Sequence, residues 1–256
     1  MRASRQGLVA PEGLIAHGRG EAFDYLLGER TLPSARAAER EAARWLRSAR
    51  LPVLSVNGNV AALAAKEIAS VVHELPSLRV EVNLFHRTAR RANLIARTLH
   101  AAGVPKVLGI RPSARIPGLP SDRSYVDGRG IARADVCLIP LEDGDRTLAL
   151  RALGKRVISI DLNPLSRTTR TADLAIVDDV QRALGEIARE LGRLRGKRPH
   201  RRIDRVSHGR REVDALRQIT DRLNRLGSPS RGSGRRAVRA SSRPPRATAG
   251  RSHRRP

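Results

Sequence analysis

Short runs of aliphatic and β-branched residues alternate along this chain with segments whose apolar positions recur every three or four residues. The runs are Pro52–Val56, Arg79–Leu84, Lys106–Ile110, Ala134–Ile139, Arg156–Ile160 and Ala172–Val177. Each is short, and most of them lack the in–out alternation of a sheet with one wet face, so each reads as a strand covered on both sides. Helical spacing appears before the first run at Ala35, Ala38, Ala42, Trp45 and Ala49. It returns at Ala89, Ala92, Ile95, Ala96 and Leu99, and again at Val180, Ala183, Leu184, Ile187, Ala188 and Leu191. Strands alternating with helices predict an α/β fold, a Rossmann-like three-layer domain with a mostly parallel sheet. The pattern divides the chain into a nucleotide- and substrate-binding domain at 1–192, a basic linker at 193–210, a C-terminal helix at 211–227 and a tail at 228–256. That last helix carries Val213, Leu216, Ile219, Leu223 and Leu226 on one face, which must cover a sheet edge or pair with a second subunit.

Two stretches fit neither period. Gly13–Thr31 is polar and glycine-rich, and Arg111–Gly130 contains Pro112, Pro117 and Pro120. Long irregular segments inside a compact domain are usually functional, and both are expected to be functional loops.

Charge sharpens this picture. The 256 residues include 50 Lys+Arg against 25 Asp+Glu, a net charge of +25, and all but Lys66, Lys106, Lys155 and Lys197 of the cations are arginine. The tail from Ser228 holds nine arginines and no acid in Ser/Pro/Gly-rich sequence, which predicts disorder and a capacity for nonspecific nucleic-acid contact. Specific single-strand binding would add aromatic platforms, but Phe23, Tyr25, Trp45, Phe85 and Tyr125 all lie outside the basic runs. The uncharged stretch Leu51–Ala65 contains Asn57, Gly58 and Asn59 and is shorter than the roughly 18 apolar residues of a membrane span, so no membrane partner is expected. Met1–Gly20 has no apolar core of a secretory signal, and Cys137 is a single cysteine. Both point to a reducing, cytoplasmic setting.

In an open parallel sheet, ligands bind beyond the carboxyl ends of the strands. Those ends read Asn57-Gly58-Asn59, Phe85-His86-Arg87-Thr88, Pro140 to Thr147, Asp161 to Thr168, and Asp178-Asp179. A single strand-end Asn or Asp is more often a turn or cap than a ligand contact. Several on one edge change that balance. Carboxylates at Glu142, Asp143, Asp145 and Asp161 suit hydrated Mg2+, and Arg19, Arg30, Arg87, Arg146 and Arg167 suit phosphoryl oxygens, the inventory of a nucleoside triphosphate site. No Walker-type loop occurs and no G-x-G-x-x-G follows a predicted strand, so P-loop and dinucleotide enzymes lose ground. His17, His86 and Cys137 lack zinc-ligand spacing.

Six blocks carry a family resemblance: GLIAHGRGEAFDYLLGERT (Gly13–Thr31), LSVNGN (Leu54–Asn59), NLFHRT (Asn83–Thr88), RIPGL (Arg115–Leu119), PLEDGDRT (Pro140–Thr147) and IDLNPLSRT (Ile160–Thr168). In this order the chain resembles the archaeal-type phosphopantothenate synthetases, 4-phosphopantoate:β-alanine ligases of coenzyme A biosynthesis. The resemblance implies a homodimeric, Rossmann-like enzyme that forms an acyl-adenylate from ATP, releasing pyrophosphate and then AMP. It assigns ATP contacts to Arg19, to Asp161, Leu162 and Asn163, to Arg167 and Thr168, and to Asp179 and Val180. Charge and strand-end position suggest acid-substrate contacts at Asn57, Gly58, Asn59, His86 and Arg87. The same reasoning suggests Mg2+ or triphosphate contacts in the Glu142–Thr147 cluster, with Asp143 and Asp145 as metal ligands. Arg19, Asp145 and Arg146 are the expected catalytic groups, and His17, His86 and Asp145 are open choices for the base that takes the β-alanine ammonium proton. Two departures stand out. Family members carry a further N-terminal helical segment with an arginine that reaches ATP, and Ser207-His208 stands where an Asp-Asn pair is expected. The alternatives are a nucleotide-binding relative without turnover and a nucleic-acid-associated protein acting through its tail.

Overall fold

The computed structural model describes residues 2–197 and 209–227. The expected tail at 228–256, much of the linker and Ser207-His208 lie outside the described residues. The helices are α1 (Arg2–Arg5), α2 (Pro11–Leu27), α3 (Pro33–Ser48), α4 (Gly58–Glu74), α5 (Ala89–Ala101), α6 (Gly144–Ala152), α7 (Arg167–Thr171), α8 (Val180–Leu194) and α9 (Gly209–Gly227). The strands are β1 (Pro52–Val56), β2 (Arg79–Val82), β3 (Val107–Leu108), β4 (Ala114–Arg115), β5 (Tyr125–Val126), β6 (Val136–Pro140), β7 (Arg156–Ile160) and β8 (Leu174–Ile176). Six of them form one parallel sheet in the order β3-β2-β1-β6-β7-β8, with Val53 level with Arg79 on one side and Cys137 on the other. Each of the six expected apolar runs is a strand of this sheet. The chain order reverses between β1 and β6, and this places a crevice at their carboxyl ends.

Alternate residues of each strand supply the two faces. Leu54, Val56, Val80, Val82, Val136, Leu138, Ile158 and Ile160 pack with α3, α4, α5 and α8. Val53, Cys137, Ile139 and Val157 face the other way, against Ile116, Leu119, Val126, Ile131 and Leu150. That second layer is α6 together with the segment expected to be a loop, 111–130. The segment forms the β4–β5 antiparallel hairpin and a short turn of 3-10 helix at Asp122–Ser124. Its polar backbone is satisfied by the sheet: Glu81 accepts from Asp127 N at 2.8 Å and Ile131 N at 2.6 Å, and Asn83 Nδ2 donates to Arg123 O at 3.1 Å and Tyr125 O at 3.0 Å. Buried amides without such partners would cost about 1–3 kcal/mol each.

The other expected loop differs more. Gly13–Thr31 is mostly helix: α2 starts at Pro11, whose fixed φ suits a first turn, and ends at Gly28 in the left-handed region (φ 88°). Only Asp24 and Leu27 of α2 are buried, so no apolar stripe announces it. Its attachment is largely polar. Arg182, on the first turn of α8, donates to both carboxylate oxygens of Asp24 at 3.0 and 2.6 Å and from Nε to Asp178 Oδ1 at 2.8 Å. Thr31 Oγ1 adds a 2.6 Å bond to Asp178 Oδ2. The C-terminal α9 closes this corner, with Ala215 and Ile219 packing among Leu27, Leu32, Ala35, Leu162 and Val177. Its Val213, Leu223 and Leu226 remain exposed. Among the described residues no helix is long and apolar enough to cross a membrane.

Beside Asp178 sits Glu39 of α3, fully buried, with no N–H donor on either carboxylate oxygen and the Asp178 carboxylate placed to accept a hydrogen bond from its protonated form. Burial, then the carboxylates of Asp178 and Glu186, push its carboxyl up to about 9, against a smaller opposing pull from Arg36. The folded state therefore holds this proton more tightly than the unfolded chain does. The stability Glu39 contributes is fully present below its ordinary value of 4.5 and is lost as pH rises towards 9.

Two predictions follow from this corner. Glu39→Gln, which stays neutral, should raise Tm relative to wild type by an amount that grows between pH 5 and pH 9; an equal difference at both pH values would contradict the buried-proton reading. Arg182→Met should release α2, so that its amides exchange at least about tenfold faster while strands β1 and β6 keep their protection. Unchanged exchange in α2 would show that the ion pair does not hold the helix.

Candidate functional site

The crevice at the β1–β6 reversal is bridged by one side chain. Asn57, at the end of β1, caps α4 by accepting from Asn59 N at 3.0 Å and Val60 N at 3.1 Å through Oδ1. Its Nδ2 donates across the gap to Leu141 O at 2.9 Å. Leu141 follows β6 with φ 50°, a left-handed conformation that costs a residue with a Cβ about 1–2 kcal/mol. The strain turns the chain out of the sheet and places the Leu141 side chain in the crevice.

Leu141, Asn59 and Ala16 are common to two adjoining cavities. The first is lined by His17, Arg19, Gly20 and Glu21 of α2, by Leu63 and Glu142, by Asp161, Leu162, Asn163 and Ser166 after β7, and by Asp179 and Val180 after β8. The second is lined by Ala10, Glu12 and Gly13, by Asn57 and Gly58, by Leu84, Phe85 and His86 after β2, and by Arg91 and Arg123. Asn59 reaches α2 directly, Nδ2 donating to Gly13 O at 2.9 Å. Gly58 is required at the start of α4 because a Cβ there would lie 2.2 Å from Leu8 O.

In the first cavity the loop after β7 is shaped by its own side chains. Asp161 Oδ1 accepts from Asn163 N at 3.0 Å, and Asn163 Oδ1 accepts from Leu165 N at 2.9 Å. Burial raises the Asp161 carboxyl, against the opposing effects of Ser166, the Asn163 amide and the Arg19 charge. Asp179 caps α8 through Oδ1, accepting from Gln181 N at 2.9 Å and Arg182 N at 3.1 Å. The cavity thus combines a cation from α2, the carboxylates of Glu21, Glu142, Asp161 and Asp179 and a row of polar turns, a set suited to a polyhydroxylated, phosphorylated ligand.

Beneath the crevice is a cluster of buried charge. Arg146 is fully enclosed, pairing with Glu142 and donating to Ser55 Oγ at 2.9 Å. Arg123 pairs with Glu142 and, at 2.9 Å, with Asp143 Oδ2. Burial, reinforced by Arg146, lowers the Arg123 guanidinium to about 9. Asp143 also caps α6, accepting from Arg146 N at 2.8 Å. The cluster locks the end of β6, and removing one member would leave a buried charge unpaired at a cost of about 3–5 kcal/mol.

Most of the expected site residues come together here. Arg19, Asp161, Leu162, Asn163, Asp179 and Val180 share the first cavity, and Asn57, Gly58, Asn59 and His86 reach the second. Thr168 and Arg167 stand behind the wall: Thr168 Oγ1 donates to Glu142 O at 2.7 Å, and Arg167 lies over Gly144 and pairs with Asp145 at 2.8 Å. Arg146 is enclosed beneath the site rather than exposed to it. Arg87 turns away, donating to the Gly109 carbonyl and to Ile110 O at 2.8 Å. Asp143 and Asp145 do not fit a metal site, because each is committed to an arginine on a different element. Among the described residues no group of three or more His, Cys, Asp or Glu is arranged to hold a metal ion. Sequence reasoning missed Arg91, Arg123 and Ser166. The signal for Arg91 was its place one helical turn beyond Arg87, and for Arg123 its place in the segment marked as functional.

Comparison with known proteins places the sequence among relatives. The chain is 52% identical over 222 residues to a protein of Methanospirillum hungatei, covering 86% of this chain and 89% of that one. It is 49% identical over 225 residues to one of Thermococcus onnurineus, covering 86% of each, and 45% identical over 227 residues to one of Methanosarcina mazei, covering 88% and 89%. All three are named 4-phosphopantoate–β-alanine ligase. Residues 34–225 match the model of one family, and with these relatives they establish that the chain belongs to the phosphopantothenate/pantothenate synthetases.

Proposed function

We propose that this protein condenses 4-phosphopantoate with β-alanine, using ATP and releasing AMP and pyrophosphate, a step of coenzyme A biosynthesis. The observation that carries the reading is the paired cavity. One half has the polar inventory of a nucleotide site and the other an apolar centre with cations, and they adjoin at Ala16, Asn59 and Leu141.

A carboxylate is a poor electrophile towards an amine, so it must be activated. A phosphopantoate carboxylate oxygen attacks the α-phosphorus of ATP, the bond to the bridging oxygen breaks, and pyrophosphate leaves with the electron pair. The developing charge lies on phosphoryl oxygens, where a fixed cation is most effective, and Arg19 is the cavity's cation for that task. Asp161 and Asn163 orient the nucleotide, and Asp179 presents a carboxylate suited to ribose hydroxyls. In the second step the amine nitrogen of β-alanine attacks the acyl carbon, AMP departs with the carbon–oxygen electron pair, and the ammonium proton passes to a base. His17 and His86 line the two cavities, which supports a histidine as that base. Holding both reactants across the shared wall supplies much of the acceleration by orientation. Mg2+ fits this reading as a companion of the triphosphate rather than as a guest of Asp143 and Asp145. The exposed apolar residues Val213, Leu223 and Leu226 of α9 favour pairing of two copies, and the phosphorylated substrates favour a cytoplasmic setting.

Purified protein with ATP, Mg2+, 4-phosphopantoate and β-alanine should form AMP and phosphopantothenate in equal amounts. Arg19→Ala and Asp161→Ala should each lower turnover by on the order of 100-fold or more, with Tm held within a few degrees. Wild-type turnover in both variants would remove these residues from the site.

A further inference from the structure

The buried corner where α3 meets α8 and the end of β8 carries an excess of acid. Asp24 and Asp178 share the Arg182 guanidinium, which leaves one net negative charge. Glu186 is served by Arg189 and Arg193. Glu39 is fully enclosed among these groups and receives no N–H donor. The charges that act on it are Asp178, Glu186 and, from the surface of its own helix, Arg36. Helix α9 meets the start of α3 through a neutral pair, Gln218 Nε2 and Ser34 Oγ at 3.4 Å. An ionised Glu39 would double the unpaired negative charge of a corner closed to water, so the carboxyl is kept neutral. Its one proton then lies between two acids, with Asp178 as the acceptor.

Asp178 is also the hub that joins this corner to the first cavity. Oδ2 accepts from Thr31 Oγ1 at 2.6 Å, and Oδ1 accepts from Arg182 Nε and from Asp179 N, each at 2.8 Å. Arg182 holds Asp24 of α2, the helix that brings His17, Arg19 and Glu21 to the cavity, and Asp179 lines the cavity itself. We infer that Glu39 is a positioning residue for the nucleotide wall: its carboxyl proton bridges to Asp178 and holds α2 against the cavity, and loss of that proton to solvent releases the wall. The inference rests on the reading of the first cavity as the ATP site and adds a control on it from outside the cleft. Once Glu39 is ionised, two carboxylates repel with no proton between them, and Asp178 yields its hold on Thr31 and Arg182. Because the folded state binds this proton more tightly than the open one, closure is firmest below the ordinary value of 4.5 and weakens as pH rises towards about 9. Linkage is reciprocal, so ATP, by favouring the closed wall, draws the proton back.

The test compares wild type with Glu39→Gln, which stays neutral and offers an amide N–H to Asp178, and with Glu39→Met, which is neutral and has no donor. Comparing the proteins at each pH cancels the titration of ATP and of every other group. Calorimetric binding of ATP with Mg2+ should give wild type and Glu39→Gln equal affinities at pH 7. At pH 10 about one wild-type molecule in ten retains the proton, so wild type should bind about tenfold more weakly than Glu39→Gln. Titrations at pH 9 in buffers of different ionisation enthalpy should show wild type taking up about half a proton more than Glu39→Gln. Glu39→Met should bind more weakly than wild type at pH 7 and lose nothing further at pH 10, and it carries the test should Glu39→Gln not fold. The ratio of α2 amide exchange rates, wild type over Glu39→Gln, should rise at least about tenfold from pH 6 to pH 8. The same pH response in wild type and both variants, or an exchange ratio that stays constant, would overturn the inference. If wild type binds no ATP at any pH while α2 exchange still follows Glu39, the nucleotide reading of the cavity fails and the latch stands.

Discussion

One ion pair decides whether this protein has a two-walled cleft. A parallel sheet supplies only its strand ends to a ligand, and the opposite wall is α2, which buries just Asp24 and Leu27 against the rest of the fold. Phe23, Leu26 and Leu27 give α2 an apolar footing at its C-terminal end against α9, and Arg182, held between Asp24 and Asp178, ties that end to the sheet. Asp178 belongs to the end of β8, so the anchor refers the helix to the sheet. This is how Ala16, His17 and Arg19 come to face Asp161 and Asp179 at a defined separation.

The sheet side depends on a second constraint, the gap at the β1–β6 reversal. Asn57 spans it by capping α4 with one end of its carboxamide and holding Leu141 with the other. Leu141 is kept in a left-handed conformation there, and the buried Glu142–Arg146–Arg123–Asp143 charges fix the chain on either side. These contacts hold Asn59 and Leu141 where both line the two adjoining cavities.

The strands were legible because both faces of the sheet are covered, which makes most of them largely apolar runs, with β2 interrupted by Glu81. The stripes of α3, α5 and α8 were legible for the same reason, each burying one face. Helix α2 was hidden because polar contacts place it and no apolar period marks it. Segment 111–130 was hidden because its backbone is satisfied by Glu81 and Asn83, residues distant in sequence. Strand-end position correctly brought Asn57, Asn59, Asp161 and Asp179 to the cleft. It could not tell that Arg146 lies beneath the site, that Arg87 turns towards β3, or that Asp143 and Asp145 are committed to arginines. Side-chain direction around a turn depends on which neighbours offer acceptors, and those neighbours come from other elements.

The central claim is that the two cavities meet so that carboxylate oxygen attacks phosphorus directly. Phosphopantoate labelled with oxygen-18 in its carboxylate, turned over with ATP and β-alanine, tests it. One labelled oxygen should appear in the phosphoryl group of AMP and none in pyrophosphate. Label in inorganic phosphate, or AMP without label, would contradict the account.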